Sequence, residues 1–212
     1  MVKVNREFIL SNSPFKKLAL KAGIQRLSKD SVEYLQRLSR NFAKLVARKT
    51  FIIARDYKKK RVDGAAMRLV LDSINLKLIG DAPSKLEKCP KLTGKRIATK
   101  IKQIGAKSDC VEHAPSQFKN LLKSAIQSYG QDMGFSTDAI NIAQLVYEDL
   151  MVRLLSNCAV VLVAFGKSKL NPAIIDSVRK VMEHPSLEYL VAGEKEYPMR
   201  NLRKSVLAKN IR

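Results

Sequence analysis

The chain has 212 residues and a formal net charge of +21, from 40 Lys and Arg against 19 Asp and Glu, and so strong an excess usually marks a partner of polyanions such as nucleic acid. The first fifteen residues hold no long apolar run, and the most apolar run, Cys158 to Phe165, has eight residues where a membrane-spanning helix needs about 20. These features argue against a secreted or membrane-spanning protein, and the three cysteines, an odd number, indicate reduced thiols inside a cell.

Positive charge is concentrated in the first part of the chain. Residues 1–80 carry 19 basic and 6 acidic side chains (+13), and residues 81–114 carry 8 and 4 (+4). Residues 115–193 carry 7 of each, and residues 194–212 carry 6 and 2 (+4). We therefore expect the basic surface mainly on the first 80 residues, the linker and the C-terminal tail.

A short, a long and a second short helix are predicted in the first 80 residues. The first helix is predicted at Pro14 to Ala22, with Ser13 as its N-cap. Ser28 caps the long helix, Lys29 to Tyr57, which runs 29 residues without Gly or Pro and repeats apolar side chains at spacings of three and four. The basic loop Lys58 to Arg61 follows, and the third helix starts at residue 63 or 64.

The same order recurs after a linker. Residues 80–93 hold two prolines and several lysines, and a basic helix is predicted at Arg96 to Ile104. The second set of helices is predicted at Ser116 to Tyr129, Thr137 to Phe165 and Pro172 to Val181. A further short helix is predicted over residues 185–191, and no strand pattern is evident.

The two sets of helices form an internal repeat. Ser28 and Ser136 precede the two long helices and lie 108 positions apart, and the loop residues Val62 and Leu170 are also 108 apart. Because the same spacing holds at both ends of the long helix, the chain contains two copies of one small helical unit. The chain is divided accordingly into a first unit (1–80), a linker with a basic helix (81–114), a second unit (115–183) and a C-terminal helix and tail (184–212).

A 29-residue helix is about 43 Å long, and two short helices cannot cover its apolar stripe. The two long helices should therefore cross antiparallel, which places the first loop of each unit beside the second loop of the other. Three basic points then lie on one edge. They comprise Arg26, Lys29, Lys167 and Lys169 at one end, Lys16, Lys17, Lys119 and Lys123 in the middle, and Lys58, Lys59, Lys60 and Arg61 beside Gly134 at the other end.

The first unit resembles core histone four. The resemblance is carried by LALKAGIQRLSKDSVEYL (Leu18 to Leu35), continues through KKKRV (Lys58 to Val62) and covers roughly residues 13–71 without a gap. What it implies is the histone fold.

The second unit is similar to core histone three. The segment FKNLLKSAIQSYGQDMGFSTDAI (Phe118 to Ile140) carries the similarity, which continues without a gap as far as Val181. Upstream, KRIATKIKQIGAKS (Lys95 to Ser108) resembles the extra N-terminal helix of histone three. A histone-four-like half followed by a histone-three-like half resembles the fused histone doublets that large DNA viruses encode.

This resemblance implies an all-α protein in which two histone folds of one chain form an intramolecular handshake pseudo-dimer. It implies packaging and bending of double-stranded DNA without sequence specificity. Two copies would join through their histone-three-like halves, and a histone two-B/two-A-like doublet or pair would complete a nucleosome-like particle. The expected location is a chromatin-like particle in the virion and the infected cell, either in the nucleus or in a cytoplasmic viral factory.

The resemblance and the basic edge together indicate the functional residues. Arg26 lies where the family inserts an arginine into the minor groove. The predicted DNA-binding residues are Lys16, Lys17, Lys21, Arg26, Lys29, Lys58, Lys59, Lys60, Arg61, Lys95, Arg96, Lys100, Lys119, Lys123, Lys167 and Lys169. The predicted self-association residues are Val161, Ala164, Ile174, Ser177 and Lys180.

The chain departs from the family at several positions that have a role in DNA binding or self-association in the family. Gly134 stands where the family has a second groove-inserted arginine, and Ala114 replaces an arginine that contacts DNA. Arg61 replaces a threonine that braces the inserted arginine. Ala164 and Ile174 replace the His–Asp pair at the junction between histone-three copies, so we expect a more apolar junction here.

Other functions are less well supported by the sequence. Cys110 and His113, with Cys89 further back, form too sparse a set for a zinc site, so no metal and no cofactor is predicted. No catalytic constellation is present, and we expect no enzymatic activity. Two further hypotheses stay open: a histone-fold scaffold of a transcription or replication complex that does not wrap DNA, and an archaeal-type doublet that polymerises on DNA without a separate partner.

Overall fold

The computed structural model describes residues 8–57, 60–76, 86–88, 110–129 and 133–182. Over these ranges the chain is mainly helical, which confirms the all-α class. The helices are α1 (Asn12–Lys21), α2 (Lys29–Asp56), α3 (Gly64–Asp72), α4 (Pro115–Gln127), α5 (Thr137–Ala164) and α6 (Pro172–Val181). The strands have two residues each and are β1 (Arg26–Leu27), β2 (Arg61–Val62), β3 (Glu87–Lys88), β4 (Cys110–Val111), β5 (Gly134–Phe135) and β6 (Lys169–Leu170).

Both long helices begin where their serine caps predict. The Ser28 hydroxyl accepts a hydrogen bond from the Ser31 N–H at 3.0 Å, and Ser136 accepts one from the Ala139 N–H at 3.1 Å. Such a cap stabilises a helix by about 1 kcal/mol. The helix α5 ends before Gly166, which adopts a left-handed φ of 60° that side-chain-bearing residues rarely take.

The helix α1 begins at Asn12, two residues earlier than expected, and the prediction that Ser13 caps it was wrong. Pro14 does not block this early start because the first N–H groups of a helix have no partner within the helix. Ser11 occupies the cap position, but its hydroxyl donates to Gln117 Oε1 at 3.0 Å instead of capping its own helix. The contact joins the start of α1 to the first turn of α4.

Two parallel ladders fix the long helices in opposite directions. At one end β1, which precedes α2, pairs with β6, which follows α5; at the other end β2, which follows α2, pairs with β5, which precedes α5. The start of α2 therefore lies beside the end of α5, and the end of α2 beside the start of α5. The predicted arrangement, with each first loop beside the second loop of the other unit, is confirmed for the described residues.

The pairing obeys the sequence repeat. Arg26 of the first unit pairs with Lys169 of the second. The residue equivalent to Arg26 in the second unit is Gly134, and the residue equivalent to Lys169 in the first unit is Arg61. Gly134 and Arg61 also pair with each other. Where the long helices cross, Ser39 and Tyr147, again 108 apart, are hydrogen-bonded side chain to side chain. The body therefore has an approximate two-fold axis through this crossing.

One continuous apolar core surrounds the crossing and is shared by both units. The ring of Phe42 on α2 lies 5.2 Å from Tyr147 and 6.4 Å from Phe118 on α4, centre to centre. Burying one large apolar side chain contributes about 1.5–3 kcal/mol, so a core built from both halves favours the paired arrangement over separate units.

Part of the linker is also described. The strands β3 and β4 pair in parallel, Glu87 with Cys110 and Lys88 with Val111, which brings the two ends of the linker together. Among the described residues, no helix combines the length and apolar character needed to cross a bilayer. Several predictions fall outside the described residues. They concern Lys58, Lys59, the basic helix at Arg96 to Ile104 with Lys95, Arg96 and Lys100, the helix over residues 185–191, and the C-terminal tail.

Candidate nucleic-acid interface

The first end of the body gathers basic side chains around the β1–β6 ladder. Arg26 and Lys169 are directly paired in this ladder, and Lys29 and Lys167 flank it. All four side chains are exposed. The Ser28 N–H and the Ser31 hydroxyl both donate to the Leu170 carbonyl, at 3.1 and 2.9 Å, and so fix the ladder to the start of α2.

An open cavity of about 500 Å³ lies at this first end. The N-cap residues of two helices line it, Ser28 of α2 and Asn171 of α6, together with Lys167 and Lys169. Asp30 adds one carboxylate to the lining. Helix N-termini carry partial positive charge and unpaired N–H groups, so two of them beside two lysines form a favourable position for an anion such as phosphate.

Fewer basic side chains are described at the second end than at the first. Lys60 and Arg61 are exposed, and Arg61 lies opposite Gly134, where a methyl group added at Cα would meet the Arg61 Cγ at 3.7 Å. Asp63 caps α3 through the Ala66 N–H at 2.8 Å. The second end therefore has a glycine at the position equivalent to Arg26, and its described cations are fewer than those of the first end.

The middle of the edge is where the starts of α1 and α4 meet. Lys16 and Lys119 are exposed there, and Lys123 is half-buried. Lys17 and Lys21 instead form ion pairs with Glu112, at 3.2 and 3.3 Å. Ser11 and Gln117 join the starts of the two helices, and Glu112 gives an acidic partner to Lys17 of the predicted middle cluster and to the predicted DNA-binding residue Lys21.

Glu112 belongs to a short segment that is anchored on α5 by Glu148. The Glu148 carboxylate accepts the N–H of Glu112 at 2.7 Å and the N–H of His113 at 3.0 Å. Gln144 donates to the His113 carbonyl at 2.7 Å and to Glu148 at 3.1 Å, and the His113 Nδ1 lies 3.1 Å from Glu148 Oε1. The acceptor-only carboxylate places the imidazole hydrogen on Nδ1.

His113 is fully buried against an aromatic ring. Its centre lies 5.0 Å from that of Phe15, edge to face. In the described part of the chain, no group of three or more His, Cys, Asp or Glu side chains is arranged to hold a metal. The position of His113 indicates a packing and anchoring role.

A polar cluster joins α2 to α6. Asp176 accepts hydrogen bonds from the Tyr34 hydroxyl and from Arg179, both at 2.9 Å, and Lys180 lies 2.9 Å from its other oxygen. Hydrogen bonds from Lys180 and Arg179 hold the pKa of Asp176 well below its usual range. Arg37 lies over the Tyr34 ring at 4.7 Å. The cluster ties the first unit to the last helix of the second.

The predicted self-association residues lie on α5 and α6, which also carry exposed apolar side chains. Ala164, Ser177 and Lys180 are exposed and Val161 and Ile174 are half-buried. Four further residues, which the sequence reading did not identify, are far more exposed than is usual for apolar side chains: Val160 (68 %), Val163 (82 %), Phe165 (72 %) and Val181 (80 %). We refer to these four residues as the α5–α6 apolar patch.

Sequence reasoning missed the polar contacts between the units. Only one of them had a usable signal: Ser39 and Tyr147 are equivalent under the repeat, and equivalent residues meet at a two-fold axis. Glu112 and Tyr34 carry no such signal, since their partners are not the residues that the repeat makes equivalent to them.

No protein-family model matches the chain, and no curated protein is significantly similar to it in sequence.

Proposed function

We propose that this chain is a fused pair of histone folds, a histone-four-like half followed by a histone-three-like half, that packages duplex DNA. It binds phosphates along its basic edge without reading base sequence and bends the duplex over the body. The backbone-plus-deformability mechanism is the one known for the cellular histone octamer. No enzymatic step and no cofactor is part of the proposal.

The two ladders are the observation that carries the proposal. A short–long–short set of helices occurs twice, and the long helices run antiparallel with loop paired to loop at both ends. This is the arrangement that the resemblance to histones four and three leads us to expect. Both ladders lie at basic loops. The backbone pairing that joins the two units therefore also fixes the distance between the two proposed phosphate-binding ends.

Chemistry favours the first end as the strongest DNA contact. Arg26, Lys29, Lys167 and Lys169 surround two helix N-termini there, which suits phosphate binding. Arg26 is the arginine proposed to enter the minor groove. Gly134 at the second end supplies no such side chain, so we propose uneven contacts along the edge.

The α5–α6 apolar patch supports self-association of two copies. A second copy would cover Val163 and Phe165, with Ala164 and Ile174 at the junction. In the first unit, Arg55, Asp56 and Tyr57 stand at the positions equivalent to Val163, Ala164 and Phe165, and they form a more polar surface. We propose that this other end takes a different partner, a histone two-B/two-A-like doublet or pair, within chromatin-like particles of a virion and an infected cell.

Self-association is tested by the mass of the chain in solution. Val163→Glu places a charge at the most exposed residue of the patch and is expected to shift a dimer to a monomer in light scattering after size exclusion. Leu69→Glu, at an exposed position on the first unit, is the matched control and should leave the mass unchanged. A wild-type monomer at high micromolar concentration would contradict this part of the proposal.

DNA binding is tested by its salt dependence and by nuclease protection. Each neutralised phosphate adds about 0.9 to the slope of log affinity against log salt, so a steep slope is expected. Arg26→Ala should weaken binding to all sequences alike. On long DNA with a two-B/two-A-like partner, micrococcal nuclease should leave a fragment of defined length; binding that barely changes with salt would refute the proposed edge.

A second candidate function is a histone-fold scaffold in a transcription or replication complex. Gly134 at the second end and the neutral charge of residues 115–193 favour it. A scaffold would dimerise without wrapping DNA and would give a nuclease smear with no protected length.

A further inference from the structure

Two lysines of α1, both among the predicted DNA-binding residues, share one internal carboxylate. Lys17 and Lys21 are one turn apart on α1, and both ammonium groups point at Glu112, at 3.2 and 3.3 Å. The Glu112 side chain is only 3 % exposed, whereas Lys17 is 36 % and Lys21 14 % exposed. The carboxylate therefore lies beneath the lysines, where salt screens the pairs less than it screens exposed ones.

Glu112 is held there by the second unit. Its backbone N–H, and that of His113, both donate to Glu148, which is itself buried on α5. The backbone ahead of Glu112 is also paired, through Val111 in the β3–β4 ladder. With its main chain fixed in this way, Glu112 can leave the lysines only by rotating its side chain.

We propose that Glu112 is an internal competitor of DNA phosphate for Lys17 and Lys21. These two lysines then contribute to DNA binding only when their ion pairs with Glu112 break, so the centre of the edge holds DNA less tightly than the first end. A segment of the linker thus limits the strength of the edge. This inference rests on the proposed DNA-binding function and specifies how the same edge is regulated.

The test compares two neutralising substitutions by fluorescence anisotropy with a labelled duplex of mixed sequence over a salt series. Glu112→Gln removes the competitor, and Asp149→Asn removes the same charge from an exposed ion pair with Arg153, which lies outside the predicted contacts. Glu112→Gln is expected to steepen the salt slope by up to about 1.8, since two further phosphates add about 0.9 each. Asp149→Asn is expected to leave the slope unchanged.

A second pair of variants keeps the test independent of the stability of Glu112→Gln. Removing Lys17 and Lys21 together, as glutamines, should lower the slope less than removing Lys167 and Lys169 together. Among the described residues, the first pair forms ion pairs with a carboxylate and the second pair does not. Equal losses from the two double variants would count against the competitor.

Lysine reactivity gives a readout without DNA. In limited acetylation followed by mass spectrometry, Lys17 and Lys21 should react more slowly than Lys16 in the wild type and faster in Glu112→Gln, but not in Asp149→Asn. Reactivity that Glu112→Gln leaves unchanged overturns the inference, as do equal salt slopes in the two single variants, while the proposed function stands. If the DNA affinity of the wild type does not change with salt concentration, both the proposed function and this inference are refuted.

Discussion

The hydrogen bond at the helix crossing offers the sharpest test of how the two units are held together. Ser39 on α2 donates its hydroxyl hydrogen to the Leu35 carbonyl at 2.8 Å. The Tyr147 hydroxyl on α5 must therefore be the donor to Ser39 Oγ. Both side chains are buried, so neither hydroxyl can turn to water.

This geometry predicts unequal costs for removing the two partners. Ser39→Ala leaves the Tyr147 hydroxyl buried without an acceptor, and we expect a loss of about 1–3 kcal/mol in the free energy of unfolding. Tyr147→Phe removes the donor but leaves Ser39 bonded to Leu35, and should cost about 1 kcal/mol. The double variant Ser39→Ala/Tyr147→Phe leaves no stranded hydroxyl, so it should be no less stable than Ser39→Ala alone.

Urea unfolding followed by circular dichroism measures these differences, with Tyr57→Phe as the control because Tyr57 is exposed. The control is expected to stay within about 0.5 kcal/mol of the wild type. If the costs of Ser39→Ala and Tyr147→Phe simply add in the double variant, the two side chains do not bond, and the hydrogen bond across this crossing is refuted.

Three further predictions concern buried or paired charges. Glu148→Gln should cost on the order of 2 kcal/mol and speed amide exchange at residues 112 and 113, whereas the exposed Asp149→Asn should change neither. Burial, with a smaller contribution from the charge of Arg48, lowers the pKa of Lys49 to about 8 from 10.5, so the unfolded chain binds more protons between these values. Wild type should accordingly gain stability relative to Lys49→Met as the pH rises from 8 to 10.5, and thermal melts at a series of pH values check this. The pKa of Asp176 is depressed in the folded chain, so its stabilisation is present above pH 3.8 and is lost on acidification; Asp176→Asn should be less stable than wild type at pH 7, with the gap closing as the pH falls below 3.8.

Local signals predicted the helices well. Ser28 and Ser136 cap the long helices as expected, because a cap acts on N–H groups only three residues away. The start of α1 was misjudged because a proline is tolerated throughout the first turn, so its position does not mark the first residue. Loop pairing also followed from the sequence, since two matching apolar stripes of such length have few other ways to be buried.

The candidate interface was predicted less completely. The positions of Arg26 and Lys169 in one ladder follow from the repeat and the antiparallel crossing. The exposure of Val163 does not, because apolar periodicity on a helix cannot tell a stripe that faces the core from one left for a partner. Apolar residues on both sides of α5 gave no sign of which side stays open.

The amino-acid sequence by itself determined the all-α class, the two long capped helices and the repeat of 108 residues, because these depend on short-range hydrogen bonds and on the period of apolar side chains. Only the tertiary structure decided that Glu112 neutralises Lys17 and Lys21 and that Tyr34 meets Asp176. Those partners lie more than 90 positions apart along the chain. Their pairing arises from folding one unit onto the other, and the strength of a charge contact depends on a distance and a burial that no local pattern encodes.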